Sequence, residues 1–409
     1  MRLLWSDTRI PPAYVACQVG WNRHKIELWT LQNIFMKNLK SIPLIRPKQV
    51  CLTASLLMLF VSLSHPSYGQ SQQELLFFTS VDALEKKSDS DADIEDSFVR
   101  PAVDILYSYS GENFRFLTEY LWSSSENELE RMKAGWQTGD SSMLWLGRFH
   151  STAKYWTTEY HHGQFLQTPI TRPSIDEWED ESGPTPSHIT GLSFEHESAG
   201  ANESAIDYAF SFGLGPRFIG EELIPFDLLD PESDHDLAVN YRMVYKPDVI
   251  SPNQFGLLAA WNEIDVESES NPALADLDHI KQITLGLFGD WNWDEWRLLM
   301  NIVYFDNDMQ FIGETQKDEF VAGYVQAEYK ISPNWTIFGR AENGFDDEDS
   351  PYLDMLPEYI ARKTMLGARW DFAKFQSFTI EIADAAQHRE GQSDVSFKEV
   401  RIQWSAVFP

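Results

Sequence analysis

The stretch IDYAFSFGL, Ile206–Leu214, sets Ile206, Tyr208, Phe210, Phe212 and Leu214 at every second position, with Asp207, Ala209, Ser211 and Gly213 between them. A period of two puts the two sets on opposite faces of a β-strand. LAVNYRMVYK (237–246) repeats the pattern, with Leu237, Val239, Tyr241, Met243 and Tyr245 opposite Asn240 and Arg242. In WRLLMNIVY (296–304) the apolar face is Trp296, Leu298, Met300, Ile302 and Tyr304. Worked outward from these, the alternation predicts sixteen strands. They lie near 75–83, 98–109, 114–122, 129–137, 142–149, 188–197, 205–214, 236–246, 254–263, 280–289, 295–305, 320–331, 334–342, 361–372, 377–385 and 396–408. Most are about nine to twelve residues, the length that crosses a bilayer when tilted.

The connections are alternately tight and long. Ser110–Asn113, Thr138–Ser141, Asp290–Asp294, Ser332–Asn334 and Ala373–Gln376 are tight, whereas His150–Ser187, Gly215–His235, Ile264–His279, Asn343–Ile360 and Ala386–Val395 are long. Short periplasmic turns and long outside loops characterise an outer-membrane barrel. The expected fold is therefore all-β: a transmembrane antiparallel β-barrel of about sixteen strands. A soluble sandwich would alternate too, but two signals separate them. Tyr107, Tyr109, Phe114, Trp136, Trp291, Trp293, Trp296, Trp335, Trp370, Phe372 and Phe378 crowd beside the tight turns, as rings do at a headgroup boundary. The last strand sets Val400, Ile402, Trp404, Ala406 and Phe408 against Arg401, Gln403 and Ser405. It resembles the terminal signal that delivers outer-membrane barrels to their assembly machine.

The 409 residues are 43% apolar and 14% aromatic, and the mean hydropathy is negative. No charge-free apolar run reaches the ~20 residues of a membrane helix, but a barrel strand hides its lipid face at alternate positions. Residues 36–69 read as a signal peptide. Lys37, Lys40, Arg46 and Lys48 precede the uncharged run Cys51–Ser64, and Ser67-Tyr68-Gly69 offers a small-x-small cleavage site. On this reading 1–35 is an upstream mis-start and 70–409 the barrel. Cys17 and Cys51 both fall before Gln70, so no disulfide or thiol site is expected in the barrel. Residues 70–409 hold 24 basic and 61 acidic residues, a net charge of −37. That excess argues against nucleic acid as a partner. Acids cluster at Asp89–Asp96, Asp176–Glu181, Asp230–Asp236 and Asp346–Asp349. Such clusters are either plain solvated loops or sites where divalent cations meet lipopolysaccharide phosphates.

Alternation turns the basic residues inward: Arg115, Arg131, Lys133, Arg148, Arg242, Arg297, Arg340, Arg369 and Arg401. An arginine facing mid-bilayer lipid would cost about 2–4 kcal/mol. Inside, each can pair with a carboxylate such as Glu119 or Glu342, line a conduction path, or do both. The longest connection, His150–Ser187, exceeds what a compact fold tolerates without a role. With sixteen strands and this loop after the fifth, the chain resembles the trimeric sixteen-stranded bacterial porins. The segments LGRFHSTAKYW, YHHGQFLQTPITRP and PSHITGL between Leu146 and Leu192 resemble a porin-like family of outer-membrane proteins. The resemblance implies that this third outside loop folds inward as a constriction, and that the assembly is a homotrimer. Asp176, Glu177, Glu179, Asp180 and Glu181 would then face an arginine wall, with Arg148 and Arg172 flanking them, and opposed charges would orient polar solutes.

His150, His161, His162 and His188 invite a metal reading, but neighbouring histidines on an extended segment point apart, so no metal and no cofactor are expected. The chain has no G-x-S-x-G, H-E-x-x-H or G-x-x-x-x-G-K motif and no enzyme is expected. The expectation is an outer-membrane pore for small polar solutes or ions, embedded among lipid and lipopolysaccharide. The alternatives are a non-conducting barrel for adhesion or envelope integrity, and an outer-membrane enzyme.

Overall fold

The computed structural model describes residues 71–409 apart from 89–93, 95, 125–126, 161–163, 201–202, 221, 230–234, 268–275, 348 and 390–392. The expected mis-start 1–35, the signal peptide 36–69 and both cysteines lie outside the described residues, as do His161 and His162.

Among the described residues the strands are β1 (Gln72–Ser88), β2 (Asp96–Ser110), β3 (Phe114–Ser123), β4 (Asn127–Gly139), β5 (Ser142–His150), β6 (His188–Ala199), β7 (Ala205–Leu214), β8 (Arg217–Ile219) and β9 (Glu222–Ile224). They continue with β10 (Leu237–Lys246), β11 (Gln254–Glu267), β12 (Leu277–Trp293), β13 (Trp296–Phe311), β14 (Glu314–Ser332), β15 (Trp335–Phe345), β16 (Ile360–Ala373), β17 (Gln376–Gln387) and β18 (Val395–Phe408). Sixteen of them form one antiparallel sheet in chain order, with β7 pairing β10 across the short β8–β9 hairpin. β18 pairs with β1 from Phe77↔Phe408 to Ser88↔Phe397, which closes the barrel. Closure satisfies every strand edge, a requirement for a sheet in lipid.

Alternation sorts the two faces as expected. Phe210, Phe212, Leu285, Leu287, Ile302, Val325, Ile337, Leu366, Ile382 and Val400 point outward and are exposed. A contiguous apolar belt of this kind has no stable place in water; it is the lipid face of a membrane barrel. Near the tight turns the belt ends in exposed Trp136, Trp291, Trp293, Trp296, Trp335, Trp370, Phe372 and Phe378. Trp335 and Trp370 stack with centroids 5.6 Å apart, and Trp296 lies 4.6 Å from Tyr329. These rings form the girdle expected from the sequence.

Two features depart from the sequence reading. The region 306–319, expected as a loop, is a hairpin that extends β13 and β14 to Phe311 and Glu314, turning at Gly313 with φ +98°. Polar residues on both faces there leave no amphipathic signal. The three-residue strands β8 and β9 are too short for periodicity to register. At Gly147, φ is +137°, and a Cβ would lie 2.1 Å from the Met132 carbonyl oxygen. Only glycine lets β5 approach β4 so closely there.

Candidate functional site

The segment between β5 and β6 enters the lumen. It carries a short helix, Tyr155–Tyr160, and two single 3-10 turns, Ser174–Asp176 and Glu179–Glu181. Tyr155, Trp156, Tyr160 and Ile175 are buried against the inward side chains Phe288, Leu299, Val303, Phe305 and Tyr324 of β12–β14. Tyr352, Leu353, Met355, Leu356 and Tyr359 from the 345–360 connection and Phe218 and Leu223 from β8–β9 join the same cluster. These inward positions on β12–β14 were expected to be polar; they are apolar because the loop, not water, covers them.

Polar anchors continue the docking. Arg340 donates to Glu342 at 2.8 Å, to the Thr171 carbonyl at 2.9 Å and to the Arg172 carbonyl at 2.7 Å. Glu381 accepts from the backbone N–H of Ile170 at 2.6 Å, and Glu342 from that of Ser174 at 2.7 Å. Arg369 donates to the Gln167 carbonyl, and Thr168 donates to Glu328 at 2.8 Å. Arg242 holds Glu159 at 2.6 Å and Thr158 at 2.8 Å. The Tyr155 hydroxyl donates to Asp290 at 3.1 Å. The loop thus reaches from its feet on β5 and β6 to β14–β17.

Of the inward arginines expected to oppose Asp176–Glu181, Arg340 and Arg369 bind the loop's backbone instead. An extended loop offers bare carbonyls, and Arg340 and Arg369 take those. Asp176 and Glu179 bind locally. Asp176 accepts from the Trp156 N–H and from Asn301, both at 3.3 Å. Glu179 accepts from the backbone of Ser187 at 2.8 Å and of His188 at 3.0 Å. Both acids are 1% exposed. Burial pushes Asp176 up. Burial also opposes ionisation of Glu179, but His188, Lys154 and the Ser187 contact outweigh it and hold the group at about 2. Glu177 and Asp180 are half-buried and Glu181 is exposed.

Arg172 packs its guanidinium 3.6 Å from the Trp178 ring centroid. Arg148, read from the sequence as pore lining, is 2% exposed. It donates to the carbonyls of Glu130 at 3.1 Å and Phe226 at 2.8 Å and binds Glu128. It is a tie between β4, β5 and the 215–236 connection. Lys154, missed by the sequence reading, donates to Ser187 at 2.7 Å and Thr185 at 3.2 Å. Burial lowers it to about 8 despite the nearby Glu179, Asp176 and Glu177.

Arg115, Arg131, Lys133 and Arg242 do come together. They line a cavity of about 110 Å³ with Glu159, Glu195, Glu197 and Asp207. Arg131 is bound to Glu119, and Lys133 lies 4.0 Å from Glu195 and 4.3 Å over the Trp145 ring. The cavity lies beside the loop, and its wall runs down to Ser141 and Glu197 near the tight-turn end. His150 and His188, for which the sequence reading expects no metal, converge with Glu130, which it does not single out: the three bring one ligand atom each within 4.8 Å of one another. Only the β5–β6 register, which pairs His150 with His188, could have revealed it.

No protein-family model matches the chain, and no curated protein matches its sequence. Solved structures share its fold. The chain is similar to the anion-selective porin of Comamonas acidovorans, with a TM-score of 0.56 at 12% identity over 83% of this chain and 100% of that one. It is similar to the outer membrane channel DcaP of Acinetobacter baumannii, at 0.52 and 10%, over 83% and 97%. OmpF of Salmonella typhi, solved with daunomycin, matches at 0.52 and 11%, over 82% and 97%. At such identities the likeness establishes a porin-type barrel fold.

Proposed function

We propose that the protein is a porin of the bacterial outer membrane, a passive diffusion pore for small polar or charged solutes. The observation that carries this reading is a charged cavity, lined by Arg115, Arg131, Lys133 and Arg242 against four carboxylates, beside a loop tethered within a membrane barrel. A water-filled passage narrowed by that loop would sort solutes by size and by the charge of its wall. Four cations facing four carboxylates favour mixed rather than strongly one-signed selectivity. Arg172, Arg340 and Arg369, with Asp176 and Glu179, hold the narrowing segment in place, and Arg148 ties β4 and β5 to the 215–236 connection beside it. Glu177, Asp180 and Glu181 are its carboxylates nearer the solute path. The reading assigns no chemical step to the protein. It includes a homotrimer seated among lipid and lipopolysaccharide, which cross-linking of the native membrane tests.

A non-conducting barrel is the second reading. One observation favours it: the apolar cluster of loop, β8–β9 and the 345–360 connection occupies the lumen side of β12–β14. Single-channel recording in a planar bilayer under a salt gradient separates the two. Steady ohmic steps with a defined reversal potential support the pore. A folded, heat-modifiable barrel without current removes it in favour of the plugged barrel.

A further inference from the structure

We propose that Glu130, His150 and His188 form a binding site for a divalent transition-metal ion of the zinc class, set at the feet of the inward loop. Their ligand atoms lie within 4.8 Å of one another, and all three residues are buried. The His188 Nε2 atom is ion-paired to a Glu130 carboxylate oxygen at 3.0 Å, and a metal ion would displace the proton between them. Ligand atoms of a tetrahedral zinc shell are roughly 3.3 Å apart, given metal–ligand distances near 2.0–2.1 Å.

The outer contacts orient both rings as a metal requires. His150 Nδ1 lies 3.1 Å from the Thr157 carbonyl oxygen, which can only accept, so Nδ1 carries a hydrogen and Nε2 is the ring atom offered to the cluster. His188 Nδ1 lies 2.9 Å from Glu179, and Glu179 is fixed by two backbone N–H groups. A carboxylate behind a ligating histidine and a carbonyl behind the other are the usual second layer of a zinc site, fixing tautomer and ring angle. Trp178 completes the enclosure, stacked on His188 at 5.3 Å and 5.5 Å from His150.

The backbone explains the convergence. His150 ends β5 and His188 begins β6, paired in register. The pairing Met132↔Arg148 and the Arg148 guanidinium on the Glu130 carbonyl place Glu130 of β4 beside these strand ends. Two imidazoles and a carboxylate suit zinc and its neighbours better than calcium or magnesium. Three protein ligands leave a fourth position, and His150 also lines the 110 Å³ cavity, which offers an entry path. A bound ion would tie both feet of the loop to β4. The inference is independent of conduction, because it concerns the folded barrel alone.

The test uses the full-length protein purified from membranes and stripped with chelator. Zinc is titrated by calorimetry, and cobalt(II) is followed by its visible absorption. The expected result is one saturable equivalent, the intense bands of four-coordinate cobalt, and at least tenfold weaker binding in both His150→Ala and His188→Ala. Glu179→Gln is expected to weaken binding about 10–100-fold. No saturable equivalent would overturn the site. So would several weak equivalents that persist in both histidine variants, since those would be surface carboxylates. Where a variant fails to form a heat-modifiable barrel, the cobalt spectrum of the unaltered protein decides: pale six-coordinate bands overturn the site.

Discussion

Two arcs of one barrel wall present opposite chemistry to the lumen. β12–β14 turn Phe288, Leu299, Val303, Phe305 and Tyr324 inward, and all are buried under the loop. The arc through β18 and β2–β4 turns Arg401, Glu399, Asp104, Glu119, Arg131 and Lys133 inward. The strands obey the same geometry and face the same lipid. The difference is what covers the inner face. Where the apolar part of the loop docks, on β12–β14, the wall behaves as a protein core. Where it does not, inward charges are matched within the wall, as in Arg131 with Glu119 and Arg401 with Asp82.

The largest way to break this contrast is Trp156→Ala. Trp156 is fully buried, and its indole N–H donates to Gln167 at 2.8 Å. Deleting such a ring should cost about 3–5 kcal/mol by urea unfolding in lipid vesicles, with a rise in single-channel conductance as the loop loosens. Unchanged stability and conductance would show that the docked side is not a core. Next in size is Arg340→Lys. It keeps the charge but loses the planar fork that reaches Glu342 and two loop carbonyls. A loss of about 2–3 kcal/mol is expected, with noisier open-channel current. A silent substitution would mean that the apolar side alone holds the loop.

The contrast also marks what the sequence makes legible. Sixteen strands and their turn ends can be read because lipid demands one apolar face and rings gather at its edge, as at Trp291, Trp293 and Trp296. The inward arginines can be read because lipid excludes them. Their roles cannot. Arg340 binds the carbonyls of Thr171 and Arg172, 169 and 168 residues away, and no periodicity encodes that distance. The run LLMNIVYF at 298–305 is apolar on both faces, a sign that something besides water covers the inner one. Glu130 stands among many acids and becomes distinct only when β4, β5 and β6 are aligned.

The pH response of the docked side is smaller. Burial lowers Lys154 to about 8, whereas its ordinary value is 10.5. Below pH 8 the group is charged folded and unfolded, and the cost of burying the charge is present. Between about 8 and 10.5 the unfolded chain holds the proton and the folded protein does not, so stability rises with pH in that window. The gain over the whole window is on the order of 3 kcal/mol. The difference between the unaltered protein and Lys154→Met, measured at pH 7 and pH 9.5, isolates it. A difference that is flat or of opposite sign would refute the assignment.

Arg115→Glu should have the smallest effect on stability and a clear effect on selectivity. Arg115 is half-buried at the rim of the cavity, where four cations face Glu159, Glu195, Glu197 and Asp207. Reversing one charge changes that balance to three against five, and the local potential turns negative. Because Arg115 is only half-buried, beside Glu195 on the cavity wall, the unfolding midpoint should move less than in Trp156→Ala or Arg340→Lys. The reversal potential in a salt gradient should shift toward cation preference, and the shift should shrink as salt screens the wall. A stability loss without a selectivity shift would place Arg115 with the structural arginines. It would also leave the charged arc, like the apolar one, a wall built to be covered.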